Sequence, residues 1–249
     1  MSLKSRGNID PPAAFNVPAV VLLLTGLIVL VHIARAVIPG SWSAWLVGVF
    51  AFTPLRYDPS IGESIAWPGG HLADIAGFLT CFFLQSDPGT LMINGAALLI
   101  LGAAVAWRFG TWRFVAFTAL CTIAGSFACL LFYWGSAAAM VGAGGGLSGL
   151  FAASIHFLFK GGSAMAAFRV AGGAAFRKPA WTLRDALADQ NVRIWLAVFA
   201  FITAWNAVSP LILTTSQVMP GWPGNIGGFL AGLLLFRFFD RQPRLRRVV

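Results

Sequence analysis

In a chain of 249 residues, 58% of the side chains are apolar and only 10% are charged. With a mean hydropathy of +0.80, that leaves too little charge to cover a water-soluble domain of this size. The net charge of +9 does not indicate a nucleic-acid partner, because the basic residues stand in short clusters between apolar runs and not on one solvated face.

A bilayer core about 30 Å thick takes about 20 apolar residues of helix, and this ruler divides the chain. Residues 1–16 form an N-terminal segment with Lys4 and Arg6, and 17–38 is the first expected span. Its apolar run is long for a signal peptide and no small-residue cleavage site follows, so it is retained as a span. Residues 39–88 form a long, membrane-associated first loop containing Trp42, Trp45 and Trp67. Its apolar pieces, Trp45–Phe52 and Ile75–Leu84, are too short to cross and are expected at the interface. The alternative is a hairpin of 72–86 with 88–107. Further spans are expected at 89–107, 114–135, 140–159, 194–212 and 222–238, with a basic tail at 241–249. The fold class is therefore an all-α membrane protein with about six transmembrane helices.

Charge sets the expected orientation. Lys4 and Arg6 precede the first span, Arg108 and Arg113 join the second and third, six basic residues lie between Lys160 and Arg193, and five lie at or after the end of the sixth span. Fifteen of 17 thus fall on one side, while the other holds Arg35 and Arg56 with Asp58, Glu63, Asp74 and Asp87. The positive-inside rule places residues 1–16, both termini and the tail in the cytoplasm, and the hairpin alternative would break this alternation. A plasma (inner) membrane location is expected.

Cys81, Cys121 and Cys129 lie in or beside apolar stretches without metal or redox spacing, and read as small core residues. No metal and no cofactor are expected. Polar groups inside spans are costly and are candidates for function. Thr90 and Asn94 open the second span, Gly142, Gly144, Gly145, Gly146 and Ser148 the fourth, and Asn225, Gly227 and Gly228 the sixth. On this topology they share one depth and could line a common cavity. The simpler reading is helix packing alone: Gly228 and Gly232 make a GxxxG pair, and the asparagines bond between helices.

Four strings carry a family likeness. FAFTPLRY (Phe50–Tyr57), FLQSDPGTLMIN (Phe83–Asn94), MVGAGGGLSGLFAA (Met140–Ala153) and NIGGFLAGLLL (Asn225–Leu235) resemble, in order and spacing, the motifs of the rhomboid intramembrane serine proteases over roughly residues 45–240. The resemblance implies a six-helix bundle with a nucleophilic serine on the fourth helix, a general-base histidine on the sixth, and an oxyanion-stabilising histidine and asparagine on the second.

Here the base position is Asn225 and the second-helix positions are Thr90 and Asn94. The nucleophile has two alignments. One puts Gly144 in the serine's place; the other matches Gly146-Leu147-Ser148-Gly149 to a Gly-x-Ser-Gly form, with Ser148 one turn, about 6 Å, deeper. A serine nucleophile needs a base within about 3 Å, and an asparagine amide is not basic. His156 lies about 12 Å along the helix from Ser148, while His71 and His32 sit in the first loop and the first span. The expectation is a protease-like fold with degenerate site positions that binds transmembrane helices of client proteins without cleaving them. An active serine protease using Ser148 is the alternative. A transporter or channel lacks support, since no span carries a central ion-coupling charge.

Overall fold

The computed structural model describes residues 17–60, 64–159, 176–213 and 219–240. The expected N-terminal segment and basic tail lie outside these residues. Proline and glycine punctuate the helices. Helix α1 (Ala19–Val37) stops where Ile38 turns extended, as residues ahead of a proline do. Pro39 then opens α2 (Gly40–Phe50). After a 3-10 turn at Pro54–Tyr57, α3 (Gly70–Thr80) continues into a second such turn at Cys81–Phe83. Helix α4 (Pro88–Phe109) begins with proline at its first position, where the missing N–H costs nothing, and contains one wide π turn at Leu98–Gly102. Gly110, at φ +79°, reverses the chain into α5 (Thr111–Phe132). Helices α6 (Gly144–Ser154), α7 (Leu183–Ala188), α8 (Gln190–Leu213) and α9 (Trp222–Phe239) follow.

Four helices among the described residues are long and apolar enough to cross a membrane: α1, α4, α5, and α8 as far as Val208. They match the expected first, second, third and fifth spans. Helices α6 and α9 stand in the places of the fourth and sixth. Pro223, Asn225 and several glycines lower the hydropathy of α9. Helix α6 has 11 residues, about 16 Å, and starts four residues later than expected. The cause is its approach segment: Met140 pairs with Phe52 as an isolated antiparallel bridge, and the Gly142 N–H donates to Cys81 O at 3.0 Å. Gly142 (φ +121°) therefore lies outside the helix it was expected to open.

Helix α6 is enclosed by neighbours, with every residue from Gly145 to Ser154 buried, so its length need not match the bilayer. It packs against α5 and α9 at the centre, with α4 alongside. Helices α1 and α8 are peripheral and turn Leu23, Leu30 and Ile33, and Ile194, Phe201 and Trp205, outward. Such faces suit lipid, where outward apolar side chains carry no hydration cost.

The first loop holds two helices of 11 residues each, α2 and α3, and its second apolar stretch, Gly70–Phe83, is shorter than the four long apolar helices. A buried cation fastens the loop. The Arg56 side chain, 1% exposed, pairs with Asp74 at 2.5 Å, donates to Gly48 O and Pro68 O, and lies 4.9 Å over the Trp67 ring. The rings of Phe52, Tyr57 and Phe78 pack on one another, stacked between Phe52 and Tyr57 and tilted or edge-on against Phe78. Burial, then the nearby Asp74 charge, pushes the Tyr57 phenol up to about 12.

Candidate functional site

Glycines set the spacing at the α5–α6–α9 centre. A Cβ on Gly228 would fall 2.0 Å from Gly145 O, one on Gly232 2.5 Å from Gly149 O, and one on Gly125 2.7 Å from Gly224 O. On the flank toward α5 and the first loop, a Cβ on Gly146 would meet Thr122 Oγ1 at 2.6 Å and the Phe82 ring at 2.9 Å, and one on Gly149 would meet Cys121. At these positions the helix backbones are in close contact.

At the mouth of this contact the structure brings Gly144 and Asn225 together. A Cβ on Gly144 would stand 2.5 Å from Asn225 Oδ1. Asn225 is 9% exposed and sits in the first turn of α9. The first alignment of the serine position thus lies directly opposite the base position. Ser148 is one turn deeper on α6 and 6% exposed, and its hydroxyl makes no side-chain hydrogen bond among the described residues. None of the chain's three histidines bonds to it. His156 Nδ1 lies 3.1 Å from Trp181 O, with its ring stacked on Phe236; exposed His71 lies beside Asp74; and His32 is on α1.

The second-helix residues separate. Asn94 Nδ2 donates to Gln85 Oε1 at 2.7 Å and lies 3.9 Å from where a Gly142 side chain would start, so it belongs to the rim of the site. Thr90 instead serves the cap of α4, whose N-cap residue is Asp87. Its N–H donates to Asp87 Oδ1 at 2.9 Å and its hydroxyl to Asp87 Oδ2 at 2.6 Å. The Thr90 hydroxyl first, then Ser86, hold the Asp87 carboxyl down at about 2.

Gln85 was not singled out from the sequence. It is fully buried, and its Nε2 donates to Phe82 O at 3.1 Å while its Oε1 receives Asn94. Its place within the string FLQSDPGTLMIN, nine residues before Asn94, was the available signal. Arg56 was likewise read only as a misplaced topogenic charge. The three cysteines are buried thiols, and the described residues contain no cluster of His, Cys, Asp and Glu suited to a metal.

Comparison with known proteins gives one positive finding. The family model described as Rhomboid domain matches residues 73–241, more than half of the chain and all of the α4–α9 region. Phe50–Tyr57 lies outside the match. No curated protein matches the chain.

Proposed function

The chain belongs to the rhomboid family, and we propose that within it this protein binds transmembrane segments of client proteins without cleaving them. One observation carries the reading. Asn225 Oδ1 fills the space that any side chain at position 144 would need, at 2.5 Å, so the pair facing each other at the site mouth is a glycine and an amide. Glycine offers no nucleophile and asparagine takes up no proton near neutral pH. Ser148, the alternative nucleophile, stands apart from every imidazole hydrogen bond described above. The outward apolar faces of α1 and α8 suit contact with another helix in lipid.

Two measurements test this. A serine-directed fluorophosphonate should leave the purified protein unlabelled, and a single-span membrane protein reconstituted with it in liposomes should stay full length. Labelling or cleavage that disappears in Ser148→Ala would overturn the reading in favour of an active serine protease.

We further place the protein in the plasma (inner) membrane with both termini cytoplasmic, and take 17–240 as the membrane domain. The uneven split of basic residues supports this orientation. Reporter fusions after Arg113, after Arg184 and at Val249 should read cytoplasm, and one near Gly62 the opposite side. A cytoplasmic signal at Gly62 would exclude it.

A further inference from the structure

Away from the glycine-packed centre, α1, α2 and α3 enclose an open groove of ≈ 270 Å³ lined by Leu27, Val31, Ala34, Phe50, Phe83 and Leu84, among others. The lining is apolar, although Thr80 contributes to it, because the Thr80 hydroxyl is committed to Phe50 O at 2.8 Å and Ala76 O at 3.0 Å.

Arg35 stands at one end of this groove. It follows the lining residue Ala34, and its Nη1 donates to the carbonyl of Gln85, at 3.0 Å, next to the lining residue Leu84. Among the described residues Arg35 has no carboxylate partner, and its buried Nε has no hydrogen-bond partner. Arg56, the other basic residue expected on this side, is already paired with Asp74.

We propose that this groove holds one phospholipid of the leaflet on the first-loop side, with its phosphate on Arg35 and an acyl chain running along α1 toward Leu27. The polarity of the site carries the assignment. The cation is in the last turn of α1, where the helix meets the interface. From there the apolar wall continues for about 12 Å toward the bilayer centre. That order, cation at the surface and hydrocarbon below, complements a phospholipid; an apolar helix from a partner protein would leave Arg35 uncompensated. A guanidinium suits phosphate because it can make two parallel charge-assisted bonds. The site is independent of whether the chain cleaves anything. It does adjoin the rim, since the Gln85 that receives Arg35 on its backbone also holds Asn94 through its side chain.

Native mass spectrometry of the full chain in mild detergent, titrated with dioleoylphosphatidylglycerol or with dioleoylglycerol, tests the proposal. The phosphate-bearing lipid should bind about tenfold more tightly, the size expected for one charge-assisted contact. Arg35→Gln should abolish that preference and Arg35→Lys should keep most of it. Ala34→Phe, which fills the groove, should weaken both lipids, whereas Leu23→Phe on the outward face of α1 should change neither. Thermal unfolding of each variant checks folding independently. Equal binding of the two lipids by the parent chain, an unchanged preference in Arg35→Gln, or unchanged binding in Ala34→Phe would each overturn the proposal.

Discussion

Gly228→Leu should leave little folded protein in detergent, while Asn225→Ala at the mouth of the same interface should be nearly silent. A Cβ at position 228 already falls 2.0 Å from Gly145 O and 2.8 Å from Gly145 Cα. These are backbone atoms of a helix that is itself held against α5, so no rotamer change relieves the overlap. Overpacking typically costs about 1–3 kcal/mol where side chains can adjust; separating α6 from α9 should take the cost to or beyond the top of that range. Asn225→Ala removes an amide whose interhelical contribution is about 0.6 kcal/mol on average in membrane proteins. Thermal unfolding of the two variants in one detergent compares them. If Asn225→Ala is the more damaging, the degenerate-site account of that residue is wrong and it is a central structural bond.

Arg108→Met should destabilise the fold by about 3–5 kcal/mol, as expected when a buried ion pair loses one partner. The Arg108 and Asp240 side chains are 0% and 1% exposed and meet at 2.8 Å. Arg108 Nη1 also donates to Phe176 O at 2.6 Å and Lys178 O at 2.8 Å, and the guanidinium lies 4.8 Å over the Phe157 ring. One side chain therefore ties the end of α4 to the end of α9 and to the segment that precedes α7. Adding Asp240→Asn to Arg108→Met should recover part of the loss, because the carboxylate charge that Arg108 faced is then gone. A double-mutant cycle in the same detergent reads the coupling. Strict additivity, or an unchanged Tm in Arg108→Met, would show that the pair does not hold these segments together.

Arg108 also shows where sequence reasoning stops. Its position between two apolar runs makes it a topogenic charge, and that reading concerns only which side of the membrane the loop occupies. The structure adds that the charge is withdrawn from water onto a partner 132 residues along the chain. Thr90 and Gln85 show the same limit on a smaller scale. Both fall in one motif, yet Thr90 is held by Asp87, the N-cap of α4, through both its N–H and its hydroxyl, whereas the Gln85 side chain turns inward to Asn94. Gly144 and Ser148 likewise lie about one turn apart on α6, and only the fold shows that Asn225 of α9 stands against Gly144.

By itself, the sequence determined that the chain is helical and membrane-embedded and where its long apolar helices run. These properties are local. Transfer of a residue into hydrocarbon depends little on what packs nearby. Tertiary structure alone decided that α6 starts late, that the glycines of α5, α6 and α9 close on one another, and that Arg56 and Arg108 are buried while Arg35 is left at the edge of an apolar groove. Those outcomes depend on the rotation and depth of helices far apart in the chain, because within lipid close packing and the pairing of buried polar groups, more than apolarity, determine which helix faces meet.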